Sequence, residues 1–200
     1  RIWLDPTKMA SRGVTPGAQL AVSAGSEPVA SLAFGTLDYG PDSRAVTEDT
    51  RFDLASITKL FTALALVRMA TRGLVNLGAT AGEVLPDAHG SAVSRATLED
   101  LLGHRAGLLH WAPFYKMVAP QYAGNEGARR LVLDAVMATP RAATGSVRYS
   151  DLGYVLLGEC LTEIAREPLG AVIAREVSGP LGLASRVTYR GVGEQWRAAE

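Results

Sequence analysis

The chain has 200 residues, of which 48% are hydrophobic and 20% charged, a globular balance that excludes a disordered chain. Twenty basic residues against twenty acidic ones leave no net charge, so the basic excess of a nucleic-acid binder is missing. A single cysteine excludes an intrachain disulfide and a cysteine-based zinc site, and no apolar run reaches the ~20 residues of a membrane span.

Arg1 to Asp5 carry neither an initiator Met nor a basic-then-apolar leader. The chain therefore reads as processed or cut from a longer one, with its compartment open between the cytoplasm and an exported location. Residues 1–13 predict a short helix, and Val14 to Gly17 is turn chemistry. Ala18–Ser23 and Val29–Gly35 alternate as strands and predict a hairpin with a five-residue connection. Residues 36–50, rich in Asp, Gly and Thr, read as a loop. Leu54 to Arg72 is the strongest helix signal, with Ser56 as a cap or first-turn residue and Gly73 as the stop. Ile57, Leu60, Phe61, Leu64, Val67 and Met69 cover most of its circumference, which predicts burial on nearly all sides.

Beyond Gly73, short helices alternate with Gly and Pro. Thr97 caps one that ends by His104, with an acid three residues on. Residues 111–127 form an irregular aromatic stretch. Leu131–Ala138 and Leu152–Glu167 predict helices, the second stopped near Pro168, and residues 170–177 add another turn or two. Arg129-Arg130 reads as a solvated helix face, and Cys160 as a small buried hydrophobe. Two strands cannot make a stable sheet alone. Either more strands follow beyond residue 200, or another chain supplies them. The strands and the first long helix occupy residues 1–75, and the helical region 76–170. The unpaired sheet edge offers a route to self-association.

The chemistry starts at Ser56-Ile57-Thr58-Lys59. Residues three apart share a helix face, so hydroxyl and ammonium can meet. A serine hydroxyl is a weak nucleophile until a base takes its proton, and desolvation makes a lysine a better base by lowering its pKa. Only Lys8, Lys59 and Lys116 stand against seventeen arginines, and Lys59 lies inside the apolar helix. The plainer reading is a capping Ser and a surface Lys. Arg148-Tyr149-Ser150-Asp151 sits in a loop before a helix. A tyrosine beside an ammonium is a candidate base, with packing as the alternative; Asp151 is a partner for Lys59 or a substrate amide, with an N-cap as the alternative. His89, His104 and His110 lack metal-ligand spacing and no phosphate loop is present, so neither a metal nor a cofactor is expected.

These segments, taken together, resemble the penicillin-recognising serine hydrolases, in particular the class C β-lactamase-like group. Phe52 to Lys59 is similar to that group's nucleophile motif. Val14 to Ala18 matches its lead-in to the first strand, and Leu101 to Leu108 its Leu-Leu-x-His-x-x-Gly-Leu segment. Tyr149 to Tyr154 resembles its Tyr-x-Asn loop, and Gly179 to Leu183 its Pro-Leu-Gly-Met segment. The resemblance implies a β-lactamase/transpeptidase-like fold of the α+β class, an antiparallel sheet flanked by helices plus a helical region, incomplete at the C-terminal end with residues 171–200 starting the return to the α/β part. It also implies a small-molecule or peptide substrate: an ester, a β-lactam or a D-Ala peptide. It implies Ser56 as the acylated nucleophile, with its backbone N–H as an oxyanion donor, and Lys59 and Tyr149 as sharers of the proton work. Asp151 stands where the group usually has Asn, and a carboxylate there holds Lys59 more firmly charged, leaving Tyr149 as the better base. His110 and Trp111 fall where the group places the lip of its substrate cleft. Its third motif, Lys/His-x-Gly, has no candidate in this chain, which leaves a non-catalytic binding module, or a piece needing another segment, as the alternatives.

Overall fold

The computed structural model describes residues 13–118, 125–142 and 145–189, which fall into two compact units divided between Asp53 and Leu54. The expected first helix, and Pro120, Tyr122 and Gly124 of the aromatic stretch, lie outside the described residues.

In the first unit, β1 (Gly17–Ala24) pairs antiparallel with β2 (Glu27–Gly35), Gly17 opposite Gly35 and Leu20 opposite Leu32. The connection is only Gly25-Ser26, shorter than the spacing suggested. Gly25 adopts a φ of 64°, which lets the chain reverse within two residues. Pro28 therefore joins β2 instead of the turn, beside a register shift at Val22/Ser23. The following loop is tied back to β1 by Gln19, whose Nε2 donates to the carbonyls of Thr47 and Thr50. Of the residues in both strands only Gly17 is buried.

The second unit is helical. A 3₁₀ turn at Ala55–Ile57 leads into α1 (Thr58–Thr71). Then come α2 (Ala81–Val84), α3 (Leu98–Leu102), α4 (Glu126–Met137), α5 (Asp151–Ala165) and α6 (Leu169–Ile173), which runs on into a π turn at Ala174–Ser178. Local capping sets the starts. Thr97 accepts from the Asp100 N–H at 3.0 Å, as predicted. Thr80 and Glu83 form a reciprocal capping box on α2. Asn125 caps α4, which begins a turn earlier than the Leu131 pattern suggested.

Helix α5 is the hub and packs against α1, α2, α3, α4 and α6. Its Leu152, Leu156, Leu157, Cys160 and Leu161 are fully buried. Each such leucine stabilises the fold by about 1.5–3 kcal/mol. Burial also pushes the Cys160 thiol up to about 12. Arg129 and Arg130 lie on the polar side of α4, paired with Glu126, Glu159, Asp87 and Asp134.

Helix α1 corrects the expectation of burial on nearly all sides. Thr62, Ala65, Leu66 and Met69 are buried, while Leu60, Leu64 and Val67 are 61%, 47% and 40% exposed. The reason is geometric: α5, α6 and the π turn pack on one side of the helix, so a stripe of its apolar residues stays bare. The far end of α1 is fastened by Glu176, which is buried and accepts from Arg72 Nη1 at 3.0 and 3.1 Å and from Arg175 Nε at 3.0 Å. Burial alone would raise its pKa, but the guanidinium groups outweigh that and hold the carboxyl below its ordinary range. No helix among the described residues is long and apolar enough to cross a membrane.

Candidate active site

Four of the residues singled out in the sequence converge where α1 starts. Ser56 lies in the middle of the 3₁₀ turn, exposed to solvent. The residue before it, Ala55, is held at φ 45°, a left-handed conformation that non-glycine residues seldom adopt and that concentrates at functional sites. No side chain caps this turn or α1, so Ser56 is not a capping residue. Its hydroxyl faces Lys59 and Tyr149 instead. Lys59 Nζ donates to Ser56 Oγ at 3.2 Å, and the Tyr149 hydroxyl donates to the same oxygen at 2.9 Å. The lysine ammonium also lies 5.1 Å from the centre of the Tyr149 ring.

Asp151 does not cap α5. Ser150 does, its Oγ accepting from the Gly153 N–H at 3.1 Å. Asp151 is thus the first residue of the helix, and its Oδ1 sits 2.7 Å from Lys59 Nζ. The contact is an ion pair. The Lys59 side chain is only 17% exposed.

This arrangement decides how the groups ionise. Desolvation is the largest influence on Lys59 and acts against its charge. The Asp151 carboxylate and the Tyr149 phenol together outweigh it, and the ammonium pKa is raised. The expectation that burial would turn this lysine into a base is therefore reversed, while the expectation that Asp151 holds it charged stands. Tyr149 moves the other way. Hydrogen bonding to Lys59, then to Ser56, lowers the phenol pKa from its ordinary value. An ammonium that stays charged beside a phenol that ionises more readily is a pair able to take and return a serine proton.

The loop carrying Tyr149 is held by residues 104–110. The Arg148 N–H donates to the His104 carbonyl at 2.8 Å. The Ser150 N–H donates to His104 Nδ1 at 3.1 Å and the Ser150 hydroxyl to the Leu109 carbonyl at 2.6 Å. His110 Nδ1 lies 3.0 Å from the Tyr149 carbonyl, and the Asp151 N–H donates to the His110 carbonyl at 2.8 Å. Gly107 lets the segment turn: its φ is 71°, and a Cβ there would stand 2.4 Å from the Ala142 carbonyl oxygen. His110 and Trp111, expected at the lip of a cleft, line an open cavity of about 460 Å³ beside Tyr149, together with Leu109 and Arg148. His110 thus has a second task in fixing the Tyr149 backbone. The sequence reading missed the roles of His104 and Ser150. Ser150 had a legible signal as a Ser three residues before a helical glycine; His104 was matched as the His of the Leu-Leu-x-His-x-x-Gly-Leu segment, but its partner lies 46 positions away and nothing local names it. Among the described residues no cluster of His, Cys, Asp or Glu is arranged to hold a metal ion.

The family described as Beta-lactamase matches residues 7–196. Esterase EstB of Burkholderia gladioli is 31% identical over 157 residues, covering 70% of this chain and 39% of that protein. A putative D-alanyl-D-alanine carboxypeptidase of Salmonella agona is 29% identical, covering 68% and 34%. In three dimensions the chain is similar to a class C β-lactamase from Rhodobacter sphaeroides, with a TM-score of 0.69, 24% identity, and coverage of 88% of this chain and 47% of that one. The chain thus spans less than half the length of these relatives.

Proposed function

The chain belongs to the Beta-lactamase family, and on that premise we propose that it is a serine hydrolase working through an acyl-enzyme formed at Ser56. One observation carries this reading: the phenol of Tyr149 and the ammonium of Lys59 both reach the Ser56 hydroxyl, at 2.9 and 3.2 Å. The Ser56 proton passes to the Tyr149 oxygen as Oγ bonds to the substrate carbonyl carbon. Lys59, kept charged by Asp151, stabilises the phenolate before that transfer. The Ser56 backbone N–H serves as one donor to the carbonyl oxygen that becomes negative. Collapse breaks the bond to the leaving group, which takes the proton from Tyr149. Water then attacks the acyl carbon and gives its proton to Tyr149, and Ser56 regains a proton as the acid departs. No metal or cofactor enters any step.

The substrate we propose is an activated carbonyl compound of the ester, β-lactam or D-Ala peptide class. The open cavity at His110 and Trp111 supports this by offering an apolar wall beside the phenol. The test is Ser56→Ala assayed on a p-nitrophenyl ester and on nitrocefin. Turnover falls by about 10³-fold or more, and a fluorescent serine-directed phosphonate labels the wild type at Ser56 only. A folded wild type that neither labels nor turns over is a binding module, and full activity in Ser56→Ala removes the hydrolase reading altogether.

A further inference from the structure

Two histidines hold the loop that carries Tyr149, and each uses Nδ1, but in opposite senses. At His110 the neighbour of Nδ1 is the Tyr149 carbonyl, 3.0 Å away, so that nitrogen carries a proton and donates. At His104 the neighbour is the Ser150 N–H, 3.1 Å away, so Nδ1 is bare and accepts. Protonating His110 leaves its bond intact. Protonating His104 removes the acceptor and sets two N–H groups against each other.

His104 is also packed against the reacting groups. Its ring centre lies 4.6 Å from that of Tyr149 and 4.9 Å from that of Tyr154 on α5. The chain at His104 is in the left-handed region, φ 56°. The Ser150 it serves is 3% exposed, so an amide deprived of Nδ1 has little access to water. The charged groups facing the ring are Lys59 from α1 and Asp151 from α5. Its neighbour Arg105 is engaged by Glu99 and Asp100.

We propose that His104 is the positioning residue of this site: as the neutral Nε2–H tautomer it accepts the Ser150 amide and seats Tyr149 against Ser56, and a proton on Nδ1 releases the loop. The rate consequences rest on the hydrolase reading given above; the tautomer and its coupling to the loop do not. Burial first, then the Lys59 charge, disfavours the protonated ring, with Asp151 opposing, and the net pKa is lowered from its ordinary value. The sign follows. Above pH ~6.5 the ring is neutral whether the chain is folded or not. As the pH falls the unfolded chain takes the proton first. Loop order, and the stability tied to it, are lost as the pH descends through the folded value.

The experiment compares the wild type with His104→Asn and His104→Leu. Asparagine tolerates the left-handed backbone, places an oxygen near the Nδ1 position and does not titrate; leucine offers no acceptor. Imidazole ¹⁵N spectra at pH ~8 will have Nδ1 unprotonated at His104, and the Ser150 amide resonance will follow the His104 titration below pH ~6.5. On a p-nitrophenyl ester, the acid limb of log kcat/KM will steepen by one further proton below pH ~6.5 in the wild type and keep a single slope in His104→Asn. At pH ~8, kcat falls about 10²-fold in His104→Leu and less than about tenfold in His104→Asn, with KM within about twofold in both. Nδ1 protonated at pH ~8, a Ser150 amide indifferent to the titration, or the same steepening in His104→Asn overturns the proposal. A wild type that neither hydrolyses nor labels removes the hydrolase reading, and the spectra alone then decide the role of His104.

Discussion

The two compact units use similar residues to different ends. In the helical unit, Leu152, Leu156, Leu157 and Leu161 have no solvent exposure, and that buried ladder carries Asp151 at its first turn. In the hairpin unit, Val22, Val29 and Leu32 lie on the two antiparallel strands, Val29 at their register shift, yet stand between 41% and 62% exposed. Backbone pairing and β-propensity are enough to shape strands, but burial against a second layer is what yields stability. The groups we propose to handle the proton, Ser56, Lys59, Tyr149 and Asp151, all belong to the unit that has such a layer. The loop that brings Tyr149 and Asp151 to Ser56 and Lys59 is held by its hydrogen bonds to residues 104–110, which helps to keep distances near 3 Å.

The largest effect that would separate the units is on chemistry. Tyr149→Phe keeps the ring that packs on His104 and removes only the hydroxyl. It should lower kcat/KM by about 10²–10⁴-fold while leaving thermal stability nearly unchanged. In the wild type, kcat/KM should rise with pH through the lowered phenol value, and that limb should be absent from the variant. Next comes the core: Leu157→Ala should cost about 2–5 kcal/mol in urea unfolding. If it costs no more than a hairpin substitution, the contrast drawn here is wrong.

Glu176→Gln should cost less, about 1–3 kcal/mol, since the carboxylate is buried but its arginines reach solvent. The folded pKa of Glu176 is depressed. Its contribution is therefore complete above the ordinary glutamate range and fades as the pH falls through the folded value. The variant should lack that part of the acid slope. The smallest effect is on the hairpin, where Leu32→Ala should stay within about 0.5 kcal/mol; a larger loss in urea unfolding would mean that these strands are covered in solution.

What was legible in the sequence follows the same divide. Features set by a few adjacent residues could be read: the Thr97 cap, the hairpin, and the Ser56–Lys59 spacing. Features set by what packs on top could not. The apolar circumference of α1 says that the helix can be buried all round, not that partners cover Leu60, Leu64 and Val67. Competition between neighbours left two readings of Asp151 open, since Ser150 and Asp151 are both good caps; the structure has Ser150 as the cap and Asp151 beside Lys59. The ionisation of Lys59 was legible only in part: an apolar pattern by itself points to a lowered pKa, and the carboxylate that overrides it comes from another helix and was reached only through the resemblance.

Cys160 sits on the buried side of α5 with its thiol held protonated to high pH. Reagents such as Ellman's need a thiolate they can touch, so the folded helical unit should ignore them. Because this is the chain's sole sulfhydryl, the colour released on mixing counts molecules whose central helix has opened. The protein thus carries its own clock for that motion, readable in any variant without attaching a dye.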